Sequence, residues 1–420
     1  MHKIIAGDER IALHLTVMKF ATIRFRPLSR PIKMRRSFLQ VGIVCLFGLP
    51  QFAMADARLR PAQAWPLWDA YVQRFVQQDG RVIDWSSEAI TTSEGQAYSL
   101  FFALVANDRA RFDLLLGWAQ NNLAGGDLER RLPAWQWGRN AAGRWGVLDP
   151  NPATDSDMWL TYTLLQAGSL WQEKRYTRLG QAMLARIKAE EIGVLPGLGP
   201  MLLPGPSGFA VGGQAWRLNP SYLAPQLLRA FAQADPDGPW LRIAQALPLM
   251  LRGISTVGLA PDWLIYDATK GWLPDTTAGA YVGSYDAIRV YLWAGLLDDG
   301  DPLKPILLSA LHGMRDYLLR HQPAYPMEKN NVRSGQASGR GPAGFSAALL
   351  PYLEALHEKK LVDIQLQRLK DKNGQPTMSK EAVYYDQVLG LFGLGAWEQR
   401  FRFDQTGQLV PSWDKRGAGQ

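Results

Sequence analysis

Four carboxylates stand where side chains could do acid–base chemistry: Glu94 in "TTSEGQAYSLFFALVANDR", Asp155 and Asp157 in "NPATDSDMW", and Asp286 in "GSYDAIRVYLW". Each opens an apolar run with helical spacing. Acidic residues are favoured at such positions merely as caps and as partners of the positive dipole end. Here Thr91, Ser93, Thr154 and Ser284 are already placed to cap, so the carboxylates are available for other work. Gly95 is a poor helix former and suits a spot where another group must approach the backbone beside Glu94. Around these residues the chain sets indoles in loops: Trp135, Trp137 and Trp145 in "LPAWQWGRNAAGRWGVLDPN", Trp216 in "GGQAWRLNPSY", then Trp263 and Trp272. A flat indole matches the apolar face of a pyranose ring, and polar neighbours can bind its hydroxyls. Carboxylates among such rings suggest a cleft for a sugar chain, against the plainer reading of Trp filling helix junctions.

Mostly helices must hold these residues. Ala97, Leu100, Phe101, Leu104 and Val105 follow the i, i+3, i+4 pattern, and similar patterns recur near 62–78, 110–123, 157–171, 176–190, 221–234, 240–252, 286–297, 304–320, 343–357 and 383–394. That predicts about eleven helices. Few segments alternate like strands, although Val194 to Val211, rich in Gly and Pro, suits a hairpin on a long loop. No low-complexity linker and no exact repeat divides the chain, so paired helices in one domain, residues 56–420, with loops gathered at one end, are expected.

Other chemistries fit less well. Beyond residue 55 the only histidines are His312, His321 and His357, none in an H-E-x-x-H arrangement, and there is no cysteine. No G-x-S-x-G elbow and no phosphate-binding glycine spacing occurs. No metal and no cofactor is expected.

The first 55 residues read as an export region. Met34-Arg35-Arg36 is a basic start, Phe38 to Leu49 a short apolar run, and Ala53-Met54-Ala55 a small-x-small cleavage site. The run is too short to span a bilayer, which needs roughly 20 residues, so no stable membrane insertion is expected. Residues 34–55 are predicted to be a signal peptide, cleaved after Ala55, which places the mature protein in the periplasm or outside the cell. What precedes Met34 reads as a start assigned too early, with Met18 and Met34 as alternatives. The region holds nine Lys/Arg and two Asp/Glu, so the remaining chain is close to neutral, about +1, although the whole carries +8. Nucleic acid loses its support as a partner. The lone Cys45 lies within the same region.

Three motifs, in order, resemble those of glycoside hydrolase family 8, most closely its periplasmic members that accompany bacterial cellulose synthesis. "SEGQAYSLFFALVANDR" looks like the family's acid-bearing segment, "PATDSDMWL" its A-[ST]-D-x-D signature, and "SYDAIRVYLW" its Tyr-Asp-Ala-x-Arg segment. Ser156 stands where a small Ala or Gly is usual, and Leu160-Thr161 replaces Ile-Ala. The resemblance extends to "LNPSYLAPQLL" and "VYYDQVLGLF". It implies an (α/α)6 barrel of six inner and six outer helices, and cleavage of β-1,4-glucan within the chain with inversion at the anomeric carbon. Carried over by motif, Glu94 is the general acid, Asp286 the general base and Asp155 a residue gripping the sugar. Asp157, Tyr285, Arg289, Trp135, Trp137, Trp216, Tyr384 and Tyr385 would bind substrate. The partners implied are glucan chains and, as a candidate, the cellulose synthase and secretion complex.

A helix N-terminus lowers a carboxyl pKa, whereas a general acid needs it raised. Repulsion from Asp155 or Asp157, together with loss of water when glucan fills the cleft, is expected to outweigh the dipole at Glu94. A glucan-binding protein without catalysis would use the Trp residues but not the Glu94 and Asp286 pair. A polysaccharide lyase on the same barrel would want a Tyr, His or Arg base and a uronic acid substrate.

Overall fold

A helix that is apolar on all sides must be buried on all sides, and this rule sorts the helices into two layers. The computed structural model describes residues 64–371, 373–375, 377–379 and 381–414. The expectations for residues 1–55 lie outside them. In chain order the helices are α1 (Pro66–Phe75), α2 (Ser93–Val105), α3 (Arg109–Leu123), α4 (Thr154–Leu170), α5 (Lys174–Glu190), α6 (Pro225–Ala234) and α7 (Trp240–Ile254). There follow α8 (Ala287–Leu296), α9 (Leu303–Ala310), α10 (His312–Arg320), α11 (Ala343–Ala355), α12 (Lys359–Arg368) and α13 (Tyr384–Trp397).

The helices α2, α4, α8, α11 and α13 are buried around nearly their whole circumference, and α6 over one broad face. They pack in sequence as a ring. Phe392 of α13 closes it against Tyr98, Phe101 and Phe102 of α2, stacking on Phe101 with centroids 5.5 Å apart. Outside it, α3, α5, α7, α9 and α12 each cover the inner helix that precedes them, and α1 covers α13. The fold is therefore an all-α (α/α)6 barrel. Trp159 and Trp293 meet at 5.1 Å beside Phe392 and plug the barrel axis. Close approach of the inner helices needs glycine: a Cβ on Gly295 would lie 2.2 Å from the Tyr352 backbone nitrogen, between α8 and α11.

Two departures from the predicted helices have local causes. The periodic segment 304–320 is broken at Leu311, because the Gly313 N–H leaves the helical ladder for the Gly258 carbonyl at 2.9 Å. The short, lysine-led α12 escapes the pattern because Gln365 sits on its buried face, donating to the Ala324 carbonyl and accepting from Ser346.

Inner helices pass to outer ones through short connectors built alike. Asn107, Gln172 and His357 each adopt left-handed backbone, φ 55° to 57°. The next residue, Asp108, Glu173 or Glu358, returns its N–H to a carbonyl five residues back. His357 thus belongs to a connector, not to a helix face.

Loops running the other way, into the heads of the inner helices, carry small sheets. Thr91–Thr92, Gln136–Arg139 and Trp145–Asp149 form one; Ala215–Leu218, Leu264–Asp267 and Gly271–Pro274 a second; Val282–Gly283, Met327–Asn331 and Ala337–Arg340 a third. The predicted hairpin is shorter than expected, pairing Ile192–Leu195 with Gly199–Leu202. Among the described residues, no helix is long and apolar enough to cross a membrane.

Candidate active site

The six inner helices run parallel, so their first turns meet at one end, and Arg289 in the first turn of α8 ties them together. Its Nη1 donates to the Glu94 carboxylate at the head of α2, to Asp155 Oδ2 at the head of α4 (3.3 Å) and to the Tyr98 hydroxyl (3.3 Å). Its Nη2 donates to Asp286 Oδ1 (2.7 Å) and to Ser221 Oγ (2.9 Å), just ahead of α6. Tyr385, in the first turn of α13, donates its hydroxyl to the Tyr285 carbonyl at 2.7 Å. One buried guanidinium thus holds three carboxylates contributed by three helices.

The three differ in exposure. Asp155 is 5 % exposed in its side chain, Glu94 22 % and Asp286 31 %. Burial pushes the Glu94 carboxyl up to about 7; Arg289 opposes this, and the charges of Asp155 and Asp286 reinforce it. Desolvation by the fold itself is the largest upward push on Glu94, with Asp286 rather than Asp157 as the second repelling charge. Burial also raises the Asp155 carboxyl, against Arg289 and the Ser156 N–H, which donates to Asp155 Oδ1 at 2.8 Å.

The carboxylates do not cap their helices, but the residues that do are not the expected four. Thr92 caps α2, accepting from the Gly95 N–H at 3.1 Å. Thr91 and Thr154 donate their hydroxyls to the Val82 and Leu203 carbonyls, and Ser284 donates to the Glu328 carbonyl. Asp262, from the loop after α7, accepts from the Ser284 and Ala287 N–H groups at the head of α8, both at 2.8 Å. What approaches Gly95 is the Tyr384 ring, whose hydroxyl lies 3.1 Å from where a Cβ would stand.

Several expected substrate contacts require correction. Asp157 is fully buried and faces away from the cleft toward Glu191, also fully buried, because side chains two apart on a helix point to nearly opposite sides. Burial and Glu191 push its carboxyl well up. Tyr384 is buried among Tyr71 and Phe75 behind the head of α2. Trp137 is partly buried between Trp145, stacked at 5.2 Å, and the edge of Trp118, and the Arg81 guanidinium lies over both Trp137 and Trp145, so Trp145, 52 % exposed, is the more open of the two indoles. Trp216 packs half-buried against the core in the second sheet. Trp135 is half-buried, and its carbonyl accepts from the Ser93 N–H at 2.9 Å, next to Glu94. Tyr285 is 44 % exposed beside Asp286 and donates its hydroxyl to Glu328 at 3.3 Å.

Sequence reading did not single out Tyr98, Ser221 or Asp262. Tyr98 stands one turn beyond Glu94, a spacing that could have flagged it. Asp262 and Ser221 reach the cluster only through the fold.

The profile of the glycosyl hydrolases family 8 matches residues 40–399. An endoglucanase of Xanthomonas axonopodis pv. citri is 48 % identical over 382 residues, covering 90 % of this chain and 97 % of that protein. An endoglucanase of Escherichia coli K12 is 43 % identical over 381 residues, covering 90 % and 98 %. The crystal structure of endo-1,4-D-glucanase from Vibrio fischeri ES114 superposes with a TM-score of 0.75 at 41 % identity, over 83 % of this chain and 99 % of that one. With the match running through all three acid-bearing segments, the chain belongs to the glycosyl hydrolases family 8.

Proposed function

We propose that this protein is an endo-β-1,4-glucanase that cuts glucan chains internally by a single displacement, with inversion at the anomeric carbon. The observation that carries this reading is the triple grip of Arg289 on Glu94, Asp155 and Asp286 in a family 8 chain whose relatives are endoglucanases. Glu94, whose carboxyl burial pushes up to about 7, is the carboxyl suited to carry a proton, which it gives to the departing glycosidic oxygen. Asp286, the most exposed of the three, takes a proton from a water that attacks the anomeric carbon from the opposite face. Asp155, held rigid by Arg289 and Ser156, grips the sugar at the cleavage point.

Release of reducing ends from carboxymethyl-cellulose, without new absorbance from an unsaturated sugar, is the test of hydrolysis. No release, or release with that absorbance, refutes it. Glu94→Gln and Asp286→Asn each lower turnover by at least about 10²-fold while glucan binding persists. A variant that keeps more than half the wild-type rate removes its residue from the role. Early proton NMR of cellopentaose digestion shows the α-anomer first; a β-anomer first refutes inversion.

The same reading makes the chain from about Asp56 onward a single catalytic domain, exported to the periplasm after cleavage at Ala55 and serving cellulose synthesis and secretion. Recovery of the exported protein in the membrane fraction with Phe38 to Leu49 retained contradicts the cleavage.

A further inference from the structure

The segment that carries Asp286 is gripped from behind. Asp262 donates its own N–H to the Val282 carbonyl at 2.8 Å, while its Oδ1 accepts from Ser284 and Ala287 on either side of Asp286, both at 2.8 Å. Gly283 lets the two strands of chain touch: a Cβ there would lie 2.1 Å from the Ala260 carbonyl oxygen. Helix α8 has no side-chain cap of its own, since Asp286 occupies the cap position without making that bond. Asp286 itself is held in the cleft by the Arg289 Nη2 contact. We propose that Asp262 is a positioning residue for the base: it fixes the backbone on both sides of Asp286, so that the Asp286 carboxylate meets the attacking water at one place.

The proposal rests on the reading of Asp286 as the base. Asp262 never reaches the glucan in this account; it acts through α8. Its carboxyl is partly buried, and burial and then the Asp286 charge push it up to about 6. The other titratable group facing it is Tyr385 on α13, whose hydroxyl is pushed up chiefly by burial and in part by Asp262. The carboxyl is thus kept at this spot at an electrostatic penalty, in exchange for its backbone bonds. A neutral Asn would offer the same acceptor without that penalty. Misplacing a reacting group by about 1 Å can lower rates on the order of 10²-fold, so the hold on α8 should register in turnover rather than in substrate binding.

The experiment compares kcat and KM on cellopentaose for Asp262→Ala, Asp262→Asn and Asp286→Asn, with a melting curve for each. Asp262→Ala lowers kcat at least about tenfold with KM within twofold, and Asp262→Asn, which keeps the acceptor oxygen, recovers most of that loss. Asp262→Ala with kcat within twofold of wild type, a loss seen in KM instead, or a loss that Asn does not recover overturns the proposal. If the alanine variant does not fold, Asp262→Glu decides: its acceptor is displaced by one methylene, and a folded Glu variant with wild-type kcat overturns the proposal, whereas a kcat-selective loss supports it. An active Asp286→Asn removes the base assignment itself. An inactive Asp286→Asn beside a fully active Asp262→Ala removes only the positioning role.

Discussion

Replacing the acid should make the protein more stable at alkaline pH. Glu94 has its carboxyl raised from 4.5 to about 7 in the folded state, chiefly by burial. The folded protein therefore holds that proton more tightly than the unfolded chain does. The associated stability is fully present below about pH 4.5 and is lost as pH rises through 7. At about 1.36 kcal/mol per pKa unit, a fully ionised Glu94 costs about 3 kcal/mol. Its side chain is 22 % exposed, and solvent screening reduces this to about 2 kcal/mol. The attraction to Arg289 is already contained in the shift. Gln mimics the neutral acid and still accepts from Arg289, so Glu94→Gln escapes this titration. Urea unfolding followed by tryptophan fluorescence should show the variant about 2 kcal/mol more stable than wild type at pH 8.5, with the gap closing by pH 4.5. Parallel pH dependences in the two proteins would refute the account of Glu94 as a desolvated acid held above its ordinary range.

The same titration should appear in the rate: kcat/KM falls on the alkaline side of about pH 7 as Glu94 loses its proton. Arg289→Met, by removing the attraction that opposes the rise, should move that limb to higher pH in whatever activity remains; a limb at lower pH contradicts the assignment. Asp157→Asn should leave kcat within about threefold, because Asp157 faces buried Glu191 and not the cleft; a loss beyond about 10²-fold would return Asp157 to the cleft. Gly295→Ala should destabilise by about 1–3 kcal/mol in the same urea assay, since its Cβ would meet the Tyr352 nitrogen at 2.2 Å; unchanged stability means that α8 and α11 can part at no cost.

Much of the barrel was legible because inner and outer helices both follow a 3.6-residue period; the miss at α12 and the break at Leu311 arose where Gln365 and Gly313 bond outside their own helix. The order of the three acidic segments was equally legible. Their convergence was not, because spacing along a helix cannot tell which turn faces which neighbour. Asp157 shows the limit: a D-x-D pair reads as two ligands in sequence, yet α4 turns the second carboxylate away toward Glu191. The aromatic loops failed for a related reason. Trp137 and Trp145 are eight residues apart, and only the fold brings Trp118 of α3 against the first of them and leaves the second the more open.

The parallel inner helices create a difficulty that Arg289 resolves. Six positive dipole ends converge where an acid must keep its proton, and each end favours the ionised form. A single cation on three carboxylates lets them share a small volume, but it too favours ionisation of Glu94. What tips the balance is water. Glu94 is desolvated by the fold, and Asp155, nearly without exposure, adds a charge that solvent cannot screen. In the proposed mechanism, a glucan chain filling the cleft would remove more water from Glu94 and Asp286, strengthening the repulsion of both neighbouring carboxylates while offering Glu94 an oxygen that accepts rather than donates. The proton on Glu94 is then favoured most when the glycosidic oxygen is in place to take it. Arg289 still donates to Asp155 and to Asp286, which in the proposed mechanism hold the sugar and draw the proton from water.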